Sequence, residues 1–229
     1  MAVDQEKELA ARTSLRFVRD GSVVGLGSGS TAAYAVRLLG ERVRAGLQIR
    51  GIPTSVQTQG LAASLGIPLT TLEEVQQIDV TVDGTDEFDP ELRLIKGGGG
   101  ALLREKTVAS ATRQEIIIAD SSKQVSVLGK FPLPVEVIRF AQALVSKKIS
   151  ALGATVQLRK NTAGEPFITD EGHHILDCHF EQIPDPPALA YTLSEIPGVV
   201  EHGLFIDLAD VVLVGNGSEV LELRRKPHS

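Results

Sequence analysis

Hydrophobic residues along the first 130 positions follow two spacings in alternation. Over 5–19, Leu9, Ala10, Leu15, Phe17 and Val18 recur as on one side of a helix, with Asp4 placed to cap it. Residues 22–26 read as a short strand, and a helix carrying Ala32, Ala33, Val36, Leu38 and Leu39 follows it. The alternation continues with a strand over 47–52, a helix from the caps Thr54 and Ser55 to residue 65, and a strand over 78–82. A helix over 101–112 and a strand over 115–119 complete the series. Strand-helix-strand repetition of this kind predicts a doubly wound parallel sheet.

The pattern changes at Gly129-Lys130-Phe131-Pro132. Strands are predicted over 135–138, 155–158, 167–169, 175–180 and 199–205, with helices over 141–152 and 187–195. That order is close to β-α-β-β-α-β, the ferredoxin-like α+β arrangement. Residues 209–214 are again a continuous apolar strand of the parallel-sheet kind, and 220–223 add a last one. The second domain is then an insertion: a first domain of 1–129 plus 207–229, and a smaller one of 130–206.

Composition narrows the function. A chain of 229 residues with 42% hydrophobic content can bury a sizeable core. Aromatic residues make up 4%, Trp is absent and the net charge is −6, so a nucleic-acid partner is not expected. The one basic cluster, Arg224, Arg225 and Lys226, is read as solubilising a chain end. Cys178 is the single cysteine, which excludes an intrachain disulfide. No apolar run is long enough to span a membrane and the N-terminal stretch is charged, so a cytoplasmic protein is expected.

Two motifs fall at the carboxyl ends of predicted strands. Gly25-Leu-Gly-Ser-Gly-Ser-Thr31 opens a helix, a layout that aims backbone N–H groups and a helix N-terminus at an anion, with Ser28, Ser30 and Thr31 adding hydroxyls. It lacks the third glycine of a dinucleotide fingerprint and the lysine of a P-loop, so a terminal monophosphate suits it better. Asp83-Gly-Thr-Asp-Glu-Phe-Asp89 ends the strand at 78–82. Its acid spacing does not match a calcium loop, and Glu87 and Asp89 are expected to be solvated. Lys96 and the glycines 97–100 then make a loop with open backbone donors. Glu105 follows on a helix, with Ala101, Leu102, Val108 and Ala109 three and four positions away. A carboxylate on that apolar stripe is desolvated, which strengthens it as a base, while the helix N-terminus opposes that effect. Lys123 ends another strand on the same rim. His173, His174, Cys178 and His179 lack the spacing of known zinc sites, and Cys178 is read as a core thiol.

The segments VVGLGSGSTA, TVDGTDEFD, IKGGGGALLREK and ADSSKQVSVLGKFPLPVEV together resemble the signature segments of type A ribose-5-phosphate isomerases, and the likeness runs over nearly the whole chain. The resemblance implies a Rossmann-like domain plus a smaller α/β domain. It implies an aldose-ketose isomerase of D-ribose 5-phosphate and D-ribulose 5-phosphate, acting through an enediolate in the non-oxidative branch of the pentose phosphate pathway. No metal or other cofactor is implied, and the assembly is a homodimer or homotetramer. Residue by residue, it makes Glu105 the base that moves a proton between C1 and C2, and Lys96 the group that meets the enediolate oxygen. Asp83 and Asp86 would contact sugar hydroxyls and assist ring opening. Lys7, Ser28, Gly29, Ser30, Thr31, Gly84, Thr85, Gly97, Gly98, Gly99 and Lys123 would surround the phosphate and the rest of the substrate. Two other readings are a sugar-phosphate-sensing domain without catalysis and a coenzyme A transferase-like enzyme with a glutamate near a Gly-rich loop.

Overall fold

The computed structural model describes residues 2–225. In chain order, α1 (Ala2–Ser14), β1 (Val23–Leu26), α2 (Gly29–Arg44), β2 (Arg50–Pro53), α3 (Val56–Ser64) and β3 (Val80–Gly84) come first. Next are β4 (Glu87–Phe88), β5 (Leu94–Ile95), α4 (Leu102–Ser110), β6 (Glu115–Asp120), β7 (Leu133–Val137), α5 (Gln142–Ser150) and β8 (Thr155–Leu158). The chain continues through β9 (His174–His179), α6 (Pro186–Ser194), β10 (Val199–His202), β11 (Leu204–Phe205), β12 (Val211–Asn216) and β13 (Glu219–Arg224). Among the described residues two compact units result: 2–85 with 104–123 and 207–225, and 86–103 with 124–206. Lys226, which the basic cluster includes, lies outside the described residues.

The first unit holds a six-stranded sheet in the order β13-β12-β6-β3-β1-β2. Its five inner and far-edge strands run parallel and only β13 is antiparallel. Successive side chains on a strand point to opposite faces, and here both faces are covered. Val24, Leu26, Val80, Val82, Ile116, Ile118, Val211 and Leu213 pack with residues of α1, α2 and α3. On the opposite face Val23, Ile52 and Ile78 pack with Val108 of α4. Full burial of each such aliphatic side chain contributes about 1.5–3 kcal/mol relative to exposure. Coverage on both sides explains why these strands are apolar runs without polar alternation. The α/β class expected from the pattern is therefore observed.

In the second unit β7, α5, β8, β9, α6 and β10 follow each other, and the four strands form an antiparallel sheet in the order β10-β7-β9-β8. This is the ferredoxin-like order expected from the sequence. A three-stranded sheet, β11-β5-β4, belongs to the same unit. The unit thus takes in 86–103 and 124–129, stretches that hydrophobic patterning groups with the first domain.

Three local expectations are corrected. Asp4 sits within the first turn of α1, which begins at Ala2, and does not cap it. No strand covers 167–169; the turn beyond β8 closes through a single bridge between Lys160 and Pro166. The single strand expected over 199–205 is two strands: β10 pairs with β7, whereas β11 pairs with β5. Gly203 is the joint between them. Its N–H donates to the Pro134 carbonyl at 2.7 Å and its carbonyl accepts from the Lys96 N–H at 2.9 Å. A Cβ there would lie 2.3 Å from the Lys96 carbonyl oxygen, so only glycine fits without movement. Among the described residues no helix is long and apolar enough to cross a membrane.

Candidate active site

The strand order of the first unit has a reversal between β1 and β3. From β1 the chain moves outward to β2, then crosses back to β3 on the other side. In open α/β sheets that crevice, beyond the carboxyl ends of the strands, is where ligands bind. The loop after β1 brings Ser28, Gly29, Ser30 and Thr31 to it, and the end of β3 brings Asp83, Gly84 and Thr85. Asp83 ties the two together. Its Oδ1 accepts from the Ser28 N–H at 3.0 Å and the Gly84 N–H at 2.7 Å. Gly27 makes the approach possible, since a Cβ there would lie 2.3 Å from that oxygen. The Ser28 hydroxyl lies 2.7 Å from the hydroxyls of Thr54 and Ser55, which follow β2.

The first turn of α2 offers an anion cradle. N–H groups in a first helical turn have no partner within the helix, and the helix dipole adds positive potential there. No acidic side chain occupies that turn. Gly29 has φ +87°, a conformation that side chains resist. Lys7 reaches over from α1, its Nζ donating to the Ser30 hydroxyl at 3.1 Å. Ser30 is exposed and Thr31 is buried.

Glu105 belongs to the same rim. The carboxyl end of α4 lies beside the start of β3, where the Ile78 N–H donates to the Ala111 carbonyl at 2.9 Å. Val108 packs over Gly25 of β1, whose added Cβ would come within 2.8 Å of it. Glu105 sits one turn earlier, ~5 Å nearer the carboxyl ends of the strands. It is buried, 6% exposed, as its apolar stripe predicts. Among the described residues its Oε2 receives no hydrogen bond, although the residue keeps other polar interactions. Lys123, in the short 3₁₀ turn Ser121–Lys123 after β6, also stands on this rim.

Glu6, one residue before Lys7, is buried and accepts hydrogen bonds from the Ser121 N–H and hydroxyl and from the Gly217 N–H, at 2.8–3.0 Å. These bonds, the Gly217 amide foremost, hold its carboxyl below the usual carboxylate range. With the folded value below the unfolded one, the stabilisation is complete above the unfolded carboxylate range and is lost as pH falls through the folded value. Glu6→Gln is therefore expected to melt at a lower temperature than the parent at neutral pH, with the gap closing toward acid. Thermal melts between about pH 3 and pH 7 check it; a gap that does not depend on pH would exclude the ionised carboxylate as the cause.

The remaining predicted residues belong to the second unit. Lys96, at the end of β5, is 2% exposed, and its ammonium lies 5.3 Å from the centroid of the Phe205 ring. Asp86 is half-buried, and its Oδ2 accepts from the Gly98 N–H at 2.7 Å. The glycine loop is closely packed. A Cβ at Gly97 would meet Leu102 at 2.9 Å and one at Gly98 would meet Asp86 at 2.6 Å, whereas Gly99 has open space. Gly100 has φ +85° and a Cβ there would lie 2.5 Å from the Phe167 ring, so alanine is not an equivalent at this position.

Glu87 and Asp89 are not solvated, contrary to expectation. Glu87 is buried and accepts from the Gly129 N–H at 2.9 Å and the Phe131 N–H at 2.5 Å. Asp89 is 0% exposed and accepts from the Glu91 and Arg93 N–H groups, both at 3.0 Å, and from the Arg93 guanidinium. Both acids organise loops. Cys178 is the core thiol expected: it is 0% exposed and burial pushes it up to about 12.

Thr54, Ser55, Gly27, Glu6 and Phe205 join the predicted residues only through the folded structure. Gly27 lies within the glycine-rich motif, and the hydroxyls at 54–55 end a strand of the same sheet, so both signals were present in the chain. Glu6 and Phe205 gave none, since their partners are distant in sequence.

A family model described as ribose 5-phosphate isomerase A (phosphoriboisomerase A) matches residues 50–219. The ribose-5-phosphate isomerase A of Parvibaculum lavamentivorans is 54% identical over 230 residues, covering 97% of this chain and 100% of that protein. A solved D-ribose-5-phosphate isomerase in complex with phospho-erythronic acid has a TM-score of 0.95 at 42% identity, covering 98% of this chain and 100% of the other. A ribose 5-phosphate isomerase A from Methanocaldococcus jannaschii gives 0.91 at 42% identity, covering 95% and 97%. A likeness of this extent in both sequence and fold, on a chain whose rim carries the predicted carboxylates and glycine turn, makes it a member of the ribose 5-phosphate isomerase A family.

Proposed function

We propose that the chain interconverts D-ribose 5-phosphate and D-ribulose 5-phosphate through an enediolate. The observation that carries this reading is a buried carboxylate, Glu105, on the same sheet rim as the amide-lined first turn of α2. The reaction needs a base near a carbon-bound proton beside a carbonyl, and a handle that fixes the carbon chain against it. The phosphate serves as that handle, held by the amides of Gly29, Ser30 and Thr31 with Lys7 and Lys123. Glu105 removes the proton from C2 of the open-chain aldose and returns it to C1, while a proton passes between the two oxygens. Lys96 meets the negative oxygen as it forms, where stabilisation lowers the barrier most, and the loop of Gly97, Gly98 and Gly99 lines the substrate. Asp83 and Asp86 bind sugar hydroxyls and assist ring opening, beside Ser28, Gly84 and Thr85. The phospho-erythronic acid held by a solved relative supports the reading, because a phosphorylated acid of that length presents the planar, negative end an enediolate has.

The family likeness favours neither the sensor nor the coenzyme A transferase alternative. We place the enzyme in the cytoplasm as a homodimer, with a homotetramer as the other arrangement the resemblance implies. The exposed Phe140, Leu144 and Tyr191 of the second unit offer apolar surface for association. Incubation with ribose 5-phosphate in EDTA is expected to yield ribulose 5-phosphate. Absence of product both with and without added divalent metal would sink the assignment, and product only with metal would sink its metal-free form.

A further inference from the structure

Arg159, directly after β8, has a side chain committed in two directions. One edge of its guanidinium meets Asp177 of β9 as a fork, Nε to Oδ2 at 3.0 Å and a terminal nitrogen to Oδ1. The other terminal nitrogen donates to two consecutive carbonyls of the glycine loop, Gly97 at 2.8 Å and Gly98 at 3.1 Å. Its own backbone is pinned as well, N–H to the Ile175 carbonyl and carbonyl to the Phe167 N–H, both at 2.9 Å. Guanidinium and carboxylate are only 13% and 19% exposed, so water competes little for these bonds.

The consequence lies in the planar trans peptide. Each carbonyl points opposite to the N–H of the next residue. With the Gly97 carbonyl turned to Arg159, the Gly98 N–H must point away, and there it donates to Asp86 Oδ2 at 2.7 Å. With the Gly98 carbonyl turned the same way, the Gly99 N–H also points away from Arg159. Gly99 is the exposed residue of the loop, with nothing near its Cα on the side a Cβ would take. Of the two amides aimed to that side, the Gly98 amide holds the Asp86 carboxylate and the Gly99 amide follows it in the same direction. Within the loop the Gly97 carbonyl also accepts from the Gly100 N–H at 3.0 Å, and glycine has no side chain to resist rotation of the next peptide, so Arg159 adds an outside hold on both carbonyls.

We propose that Arg159, braced by Asp177, is a positioning residue for the isomerisation: through the Gly97 and Gly98 carbonyls it keeps the Gly98 amide on Asp86 and turns the Gly99 amide toward the reacting oxygens. This rests on the isomerase reading above. The test compares Arg159→Ala, Arg159→Lys and Asp177→Asn with the parent, measuring kcat and KM for ribose 5-phosphate, thermal midpoint, and the response to millimolar guanidinium. Misplacement of reacting groups by ~1 Å costs about 10²-fold. Arg159→Ala is accordingly expected to lose 10- to 100-fold in kcat, roughly within that bound, with KM nearly unchanged. Added guanidinium should restore part of the loss in Arg159→Ala and none in Asp177→Asn. Arg159→Lys, with one compact donor and no fork, should stay impaired.

Parental kcat in folded Arg159→Ala, or a loss confined to KM, would overturn the proposal. So would a loss that follows the thermal midpoint and ignores guanidinium. Should Arg159→Ala not fold, Asp177→Asn decides: lowered kcat at unchanged KM supports the role, and unchanged kcat overturns it. A parent enzyme without activity on ribose 5-phosphate would instead sink the isomerase reading, so the two failures are distinguishable.

Discussion

Glu105→Gln lowers kcat for the ribose 5-phosphate interconversion by about 10²–10⁴-fold, the usual worth of a positioned general base, and leaves KM near the parental value. The amide keeps the size of the side chain at a position only 6% exposed, so the packing of α4 persists. What disappears is the capacity to accept a proton from carbon. The base contributes in the proton-transfer transition state more than in binding, so kcat and kcat/KM fall together. Steady-state kinetics on a variant with an unchanged thermal midpoint check this. Parental turnover in the folded variant would remove Glu105 from the mechanism.

Lys96→Met is the second large effect, a loss of about 10²–10³ in kcat, comparable to removing one oxyanion donor. Lys96 is 2% exposed and its ammonium lies over the Phe205 ring at 5.3 Å, so its charge is poorly hydrated. In such surroundings a charge acts on a developing oxyanion far more strongly than in water. Methionine keeps an unbranched stem and packs well against an aromatic ring, so the substitution removes charge with little change of shape. Its main chain stays tied to Gly203 by the bond at 2.9 Å. Arginine is not expected to restore the rate, because a wide planar fork does not replace a compact ammonium. Turnover of Lys96→Met within about threefold of the parent would exclude the oxyanion role.

Hydrophobic spacing carried most of the architecture. The strands β1, β2, β3 and β6 and the ferredoxin-like order were both legible, because strands covered on two faces leave long apolar runs and amphipathic helices leave a 3.6-residue period. Glu105 was legible for the same reason: a lone acid on an apolar stripe breaks the pattern. Glu87 reads as solvated because its partners, the amides of Gly129 and Phe131, are backbone groups that no side-chain pattern announces, and Asp89 does so although one partner, the Arg93 guanidinium, stands only four residues on. The break at Gly203 is hidden because 199–205 reads as one strand and only the partner strands differ. Arg159 gives no signal in the sequence because the loop it holds lies about sixty residues earlier in the chain, and Asp177 gives none because it acts through Arg159.

The sheet of the first unit is assembled from three stretches of chain, and its strand β12 lies between β6 and β13. During synthesis the ferredoxin-like strands all leave the ribosome before β12 does, so that smaller sheet can close first. Until residues 211–216 emerge, the outer edge of β6 has no neighbour, and Ile116, Ile117 and Ile118 border it. An unpaired apolar edge of this kind invites pairing with another nascent chain. Truncated or stalled translation products ending short of residue 211 should therefore be the species that chaperones capture and that precipitate when overproduced.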